Sequence, residues 1–306
     1  MKRLVSIIGP TGIGKSQLAL QLARNFAGEI VSTDSRQIYH YMDIGTAKST
    51  SEELSLIPHH LINIINPDED FNLSQYQELA YRAIGDIQKR NKLPFLVGGS
   101  GLYVWALVEG WKVPQVPPDR QLRYNLEKVA ETIGADKLYQ ELVKTDPDAA
   151  QRIDPRNIRR VIRALEVQQK TKVPFPQLQR KKAPPFHTFI IGLTAERAEL
   201  YRKIDQRVDE MIKKGWVAEV EKLAKMGYDF TLPAMSGIGY RQIGQVLRGE
   251  LILEDAVQQI KSDTHRFVRH QYAWFQPKDK RIHWFDIQKQ PQAEIAAALT
   301  EFLENN

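Results

Sequence analysis

The sequence contains no cysteine, which excludes both a disulfide framework and a thiolate metal site and fits a reducing compartment, the cytoplasm. Long apolar runs are missing too: nothing approaches the ~18 uninterrupted apolar residues of a bilayer span, so no membrane partner is expected. The opening "MKRLVSIIG" has the basic residues of a leader, but its apolar run is too short and passes into a glycine loop without a cleavage-type motif. Internal repeats and low-complexity segments are absent. What is present, 42% hydrophobic and 26% charged over 306 residues, suits a globular chain of one large domain or two unequal ones, expected to be a monomer.

The formal net charge of +6 matters less than its location. Residues 151–190 hold ten Lys/Arg (Arg152, Arg156, Arg159, Arg160, Arg163, Lys170, Lys172, Arg180, Lys181 and Lys182) against Asp154 and Glu166 alone. The rest of the chain is therefore slightly acidic. A concentrated basic segment points to a polyanionic partner, nucleic acid more readily than membrane, with a merely solvated face as the plain alternative.

Strand and helix signals alternate along the first part of the chain. Residues 4–9 form a short apolar run bounded by glycine, and residues 15–27 carry Leu18, Leu22 and Phe26 at helical spacing. Residues 29–34 (EIVSTD) read as a second strand ending in an acid. Ser74 is expected to cap a helix through Tyr76, Leu79, Ala80, Ala83, Ile84 and Ile87, with Gly85 its weak point. Residues 94–98 (PFLVG) read as a third strand opening into Gly98, Gly99, Ser100 and Gly101. This alternation predicts an α/β fold, a parallel sheet flanked by helices, with ligands at the carboxyl ends of the strands. A proline cluster at 113–118 opens a helical stretch that Pro184 and Pro185 close, residues 187–194 resume strand character, and the pattern beyond Glu196 is largely helical. The expected organisation is a core over 1–112 and 187–306, interrupted by an all-helical subdomain over 113–186.

"GPTGIGKS" satisfies G-x-x-x-x-G-K-[ST] through Gly9, Gly14, Lys15 and Ser16, after a strand and before a helix. In that context loop amides and the helix N-terminus face phosphate oxygens, Lys15 adds a full charge, and the Ser16 hydroxyl can ligate Mg²⁺. A plain glycine turn is the alternative. The third strand ends in glycines where an ordinary nucleotide hydrolase has an acid, which leaves Asp34 as the nearby strand-end carboxylate. Asp34 can hold Mg²⁺, take a proton from a nucleophile or simply cap a turn. The loop therefore announces an oligophosphate without saying what is transferred.

In the insertion, Asp154 and Pro155 read as N-cap and first residue of a helix whose apolar stripe is Ile158, Val161, Ile162 and Leu165. Arg156, Arg160 and Arg163 recur on another face, suited to sugar-phosphate contacts. On residues 255–275, Val257, Ile260, Thr264, Phe267 and Trp274 are expected to point one way and His265, Arg269 and Tyr272 another, with Arg266 alongside.

The segments "GPTGIGKS", "STDSRQIYHYMDIGTAK", "PHHLIN", "LPFLVGGSGLYVWAL", "DPDAAQRIDPRNIRRVIRALEV", "LYRKIDQRVDEMIKKGWVAEV", "SGIGYRQ" and "THRFVRHQYAWF" follow one another as in tRNA dimethylallyltransferases. The chain thus resembles that family, the IPP transferases, from Gly9 to Phe275. The resemblance implies a P-loop NTPase-like core and prenyl transfer from dimethylallyl diphosphate to N6 of the adenosine beside the tRNA anticodon. It implies that Gly9, Pro10, Thr11, Gly12, Ile13, Gly14, Lys15 and Ser16 hold the diphosphate with Mg²⁺ at Ser16, and that Arg207 clamps its far end. Lys15 and Thr11 would stabilise the leaving group and Asp34 would act as base. The target base would meet Asp34, Ser35, Arg36, Gln37 and Ser100. Arg123, Arg156, Asn157, Ile158, Arg159 and Arg160, with His265, Arg266 and Arg269, would contact the anticodon stem-loop.

Several positions depart from the family pattern. Ser100 stands for a usual threonine, His265, His270 and Ala273 for Arg, Arg and Thr, Lys203 for an Arg, and Asn63 for an acid. His59 and His60 look like metal ligands but lack a third at sensible spacing, so a structural role is expected. The competing readings are an adenylate isopentenyltransferase of the cytokinin type, which needs no basic insertion, and a small-molecule P-loop kinase. A catalytically silent RNA-binding protein is disfavoured because Lys15, Ser16 and Asp34 are all intact.

Overall fold

The computed structural model describes residues 2–114, 116–171, 183–184 and 186–305. Gln115 and residues 172–182, which carry four cations of the basic segment, lie outside the described residues, as does Pro185. The chain divides into two compact units, Met1–Val108 with Pro184–Asn306, and Glu109–Ala183.

The first unit is built on a six-stranded, all-parallel sheet. Its strands are β1 (Lys2–Ile8), β2 (Gly28–Ser32), β3 (His59–His60), β4 (Leu93–Gly98), β5 (Phe186–Thr194) and β6 (Ile282–Asp286), in the order β3-β2-β4-β1-β5-β6. In register, Val5 faces Phe95 of β4 and Phe189 of β5. Successive side chains leave a strand on opposite faces, so both faces need a cover. Leu4, Val31 and Leu96 go to one face, under α3 (Leu73–Lys89) and α4 (Gly101–Val108). Val5, Ile7, Phe95 and Ile191 go to the other, packed with α1 (Lys15–Asn25) and the C-terminal helix Gln292–Glu304. A further core gathers Ile38, Tyr39 and Met42 with Val208, Trp216, Tyr240 and Ile260.

Local details differ from the sequence reading for identifiable reasons. Helix α3 is capped by Asn72, not Ser74: its Oδ1 accepts from the N–H groups of Ser74 and Gln75, and the Gln75 side chain returns the bond to the Asn72 amide. Gly85 stays helical, on a side where a Cβ would meet nothing. Strands β3 and β6 were not foreseen, being two residues long in one case and embedded in a helical stretch in the other.

The second unit is helical: α5 (Arg120–Thr132), α6 (Ala135–Thr145), α7 (Pro147–Ala150) and α8 (Ile158–Thr171). Its core joins Leu138, Leu142 and Ile153 to the expected stripe Val161, Ile162 and Leu165. Helix α8 starts later than its Asp-Pro signal. Asp154 spends its carboxylate on the Arg156 amide (2.9 Å) and guanidinium (2.7 Å), closing a turn, and Asn157 Oδ1 accepts from the Arg160 N–H instead (3.2 Å). Among the described residues no helix is long and apolar enough to cross a membrane.

Candidate active site

The loop after β1 earns its shape from two glycines. Gly9 (φ 144°) passes so close to β5 that a Cβ would lie 2.6 Å from the Leu193 carbonyl oxygen, and Gly14 (φ 96°) opens α1 in the left-handed region. Lys15 Nζ donates to the Pro10 carbonyl at 2.8 Å. Burial, helped by the charge of nearby Arg207 and opposed by Asp34, brings its pKa down from 10.5 to about 7. Arg207, on the helix Arg197–Lys213, is also lowered by burial, with Asp34 and then Glu210 opposing. Neither cation has an ion-pair partner among the described residues.

Both line one cavity of about 780 Å³ at the carboxyl ends of the strands, together with Thr11, Gly12, Gly14, Ser16, Asp34, Ser35, Arg36, Gln37 and Ser100. Gly9, Pro10 and Ile13 shape the loop from beneath and are buried. Ile204, Val208, Met211, Ile260 and Phe267 give the cavity an apolar wall. The neighbouring strand β4 ends at Gly98 and is followed by Gly99, so no acid stands at its tip.

Asp34 lies two residues beyond the end of β2. Its Oδ1 accepts from the backbone N–H groups of Arg36 (2.8 Å) and Gln37 (3.4 Å), and its own N–H donates to Ser32 Oγ (3.2 Å). One carboxylate oxygen is thus pinned by the turn. The Ser35 N–H donates to Ser100 Oγ at 3.3 Å. Arg36 turns to the protein, donating to the carbonyls of Pro233 (2.7 Å) and Ala234 (3.2 Å), and Gln37 Nε2 donates to the Thr46 carbonyl (3.2 Å). Of these loop side chains, Asp34 and Ser35 keep capacity for a ligand, while Arg36 and Gln37 brace the loop.

The remaining candidates fall outside this cavity. His265 stacks on Tyr201 (ring centroids 4.0 Å) with Nε2 2.9 Å from Asp205 Oδ1, Arg266 pairs with Asp263, and Arg269 donates to the Tyr201 hydroxyl (3.1 Å). Of the face expected on the helix Leu253–Trp274, Ile260, Thr264 and Phe267 do meet at the cavity, whereas Trp274 is not among its lining residues. The helix's buried seam is Ala256, Ile260, Val268 and Gln271, whereas Phe267 (41% exposed) and Trp274 (43% exposed) lie outside it. Tyr272 and His265 are partly buried, so Arg266 and Arg269 alone keep the basic face. In the helical unit, Arg123 is tied by two bonds to the buried Glu166 (2.9 and 2.7 Å), and Arg163 joins the same carboxylate (2.5 Å). Arg156 is exposed and paired with Asp154, while Arg159 and Arg160 are exposed without a side-chain partner among the described residues.

Three further residues lie within the segments that carry the resemblance, yet nothing in their spacing singles them out. Gln271, 4% exposed, accepts from the Thr11 N–H (2.9 Å) and donates to the Gly99 carbonyl (3.0 Å). Glu219 gathers the N–H groups of Asp43, Ile44 and Gly45 and the Tyr240 hydroxyl, fixing a loop of the cavity wall. Lys48 is buried, its pKa lowered by burial against the pull of Asp43, and donates to Tyr39, Asp43 and Asn63. Asp43 already neutralises Lys48, so an amide suffices at Asn63. A polar residue in register with an apolar helical stripe is the signal that would have found Gln271.

His59 and His60 both have partners within the protein, although His59 also lines the cavity. His59 bonds the Ile57 carbonyl and Ser49, and His60 Nε2 lies 2.7 Å from the buried Glu29, which also binds Arg90 (2.6 Å) and is held below the usual carboxylate range by those partners against its own burial.

The IPP transferase family model matches residues 37–278, and an isopentenyl transferase model matches residues 2–63. The tRNA dimethylallyltransferase of Dehalococcoides mccartyi is 49% identical over 98% of this chain and 92% of its own length. That of Thermomicrobium roseum is 47% identical over 94% and 87%. The crystal structure of a tRNA isopentenylpyrophosphate transferase from Bacillus halodurans superposes with a TM-score of 0.74 at 38% identity, covering 99% of this chain and 97% of that one. A eukaryotic dimethylallyltransferase acting on tRNA gives 0.84 at 27% identity, covering 100% and 80%.

Proposed function

The chain belongs to the IPP transferase family of tRNA dimethylallyltransferases, and from that membership we propose how its cavity performs the transfer. The reaction moves a dimethylallyl group from dimethylallyl diphosphate to N6 of adenosine 37 of tRNA, giving N6-(dimethylallyl)adenosine and diphosphate. The allylic carbon–oxygen bond breaks, a carbon–nitrogen bond forms, and the amine loses one proton.

Lys15 and Arg207 stabilise the charge that grows on the departing diphosphate, and neither has to break an ion pair with a carboxylate among the described residues to do so, Lys15 donating only to the Pro10 carbonyl. Asp34 accepts the N6 proton on the oxygen its turn leaves free, the other being held by the Arg36 and Gln37 amides. Thr11 and Ser16 line the loop side of the cavity, Ser35 and Ser100 the base side, and the Ile204–Val208–Met211 wall gives the five-carbon group apolar surroundings. Among the described residues no three His, Asp or Glu side chains gather to cage a cation. The donors on offer are the Ser16 hydroxyl and the diphosphate oxygens, hard ligands of the kind that suit Mg²⁺. Ser16 would hold Mg²⁺ there, where the ion would supply neutralisation of leaving-group charge. The anticodon stem-loop is read by the helical unit, with Arg159 and Arg160 beside Asn157 and Ile158 as its phosphate contacts.

The observation that carries this reading is that two cations without counter-ions and one turn-held carboxylate line a single cavity. The test is to incubate the protein with Mg²⁺ and labelled dimethylallyl diphosphate, offering an anticodon stem-loop, AMP or ATP as acceptor. The stem-loop should be prenylated fastest, because AMP cannot use the basic insertion for positioning. Faster reaction of AMP would reassign the substrate to a free nucleotide.

A further inference from the structure

We propose that Gln271 is a positioning residue that couples occupancy of the diphosphate loop to the arrangement of the base-binding turn. The inference rests on the transfer reaction proposed above and adds a route by which its two substrates sense each other. Gln271 sits in the otherwise apolar seam Ala256, Ile260 and Val268 of its helix, where a leucine or methionine would pack without any polar obligation. Its carboxamide is used at both ends. Oε1 accepts from the Thr11 N–H at 2.9 Å, and Nε2 donates to the Gly99 carbonyl at 3.0 Å. Gly99 must lack a side chain for this, since a Cβ there would lie 2.2 Å from Nε2.

Each end continues into a substrate side. The Thr11 amide, bound by Gln271, fixes the peptide after Pro10, whose own carbonyl receives Lys15 Nζ at 2.8 Å. Beyond Gly99, Ser100 Oγ accepts from the Ser35 N–H at 3.3 Å, next to Asp34. One buried amide, itself lining the cavity, therefore spans the two glycine turns. A diphosphate that reorients the Thr11 peptide changes the bond to Gln271, and through it the seat of Ser100 and Ser35. Coupling of this kind is reciprocal: the acceptor must change donor affinity by the same factor.

The test measures binding of inorganic diphosphate with Mg²⁺ by calorimetry, with and without a saturating anticodon stem-loop. In the unsubstituted protein the stem-loop should change the diphosphate Kd by about 5- to 150-fold, the usual range of site-to-site coupling. Gln271→Met should bring that ratio close to one. Gln271→Glu keeps an acceptor for Thr11 but has no donor for Gly99, and should lose the ratio as well. Ser100→Ala cuts the same relay without touching the buried seam, which keeps the test decisive if the helix tolerates no change. A ratio of one in the unsubstituted protein overturns the proposal, as does a wild-type ratio in folded variants whatever their absolute affinities. Prenylation of the stem-loop without coupling would sink this inference alone, whereas absence of prenylation would sink the reaction on which it rests.

Discussion

Two partly buried arginines, Arg207 in the sheet-bearing unit and Arg123 in the helical insertion, have opposite surroundings. Arg207 has no ion-pair partner among the described residues, shares a cavity with Lys15, and is lowered by burial. Arg123 meets a carboxylate from which solvent is excluded: Glu166 takes two bonds from it, one from Arg163 and one from the Asp119 N–H. Glu166 is accordingly held below the usual range, its burial being outweighed by these partners. A cation left without a counter-ion is a site waiting for an anion, and a cation saturated by a buried acid is part of the fold. Counting basic residues in 151–190 makes no such distinction either: it scores Arg163, which is bound to Glu166, the same as exposed Arg159 and Arg160.

Substitutions at the cavity should have the largest effects. Asp34→Ala should lower turnover by roughly 10²–10⁴ with tRNA affinity little changed, and Lys15→Ala by roughly 10²–10³, as read from single-turnover prenylation. Near-normal turnover in Asp34→Ala would remove it as the base.

The insertion should respond in stability instead. Glu166→Ala strands two guanidinium groups, and after discounting for their partial exposure (38% and 27%) the cost should be roughly 2–3 kcal/mol in denaturant unfolding. Turnover of the surviving folded fraction should change far less than in Lys15→Ala. A folded Glu166→Ala protein of unaltered stability would show that Arg123 and Arg163 do not depend on this carboxylate.

Within the helical unit the same rule sorts arginines more finely. Replacing exposed Arg159 and Arg160 together with Ala should flatten the salt dependence of tRNA binding by about 0.7–0.9 per lost phosphate contact. Arg123→Ala should leave that slope alone and lower the melting temperature. Equal slopes in the two variants would show that partnership does not decide which cations meet RNA.

The smallest effect is a proton. Lys15 has a pKa near 7 in the free protein, and an arriving diphosphate favours its charged form. Binding should then take up a fraction of a proton at and above pH 7, so affinity should weaken as pH rises through that range. Calorimetry in buffers of different ionisation enthalpy reads the uptake directly, and proton release on binding would reverse the assignment.

The features most legible in the sequence are those fixed by backbone chemistry. "GPTGIGKS" required a strand, a turn and a helix in that order, and β1, its glycine loop and α1 follow. The alternation of β and α signals likewise implied a parallel sheet, because both faces of such a sheet must be covered. Side-chain partnership was much less legible. Arg123 and Arg159 are the same letter, and only the fold brings Glu166 to one of them. Phe267 and Trp274 resembled seam residues because they are large and apolar, whereas the seam includes the polar Gln271, whose bonds to Thr11 and Gly99 span more than 170 residues of sequence. Asn72 displaced Ser74 as a cap because Gln75 completes a box with one and not the other.

The central claim is that the glycine loop holds a leaving diphosphate, not the triphosphate of a nucleotide. The most direct measurement is the amount of diphosphate released per prenylated adenosine when stem-loop, Mg²⁺ and dimethylallyl diphosphate are supplied and ATP and GTP are withheld. One diphosphate per product, with Lys15→Ala suppressing both together, is the result predicted. Product that forms only when a nucleoside triphosphate is added and hydrolysed would contradict it.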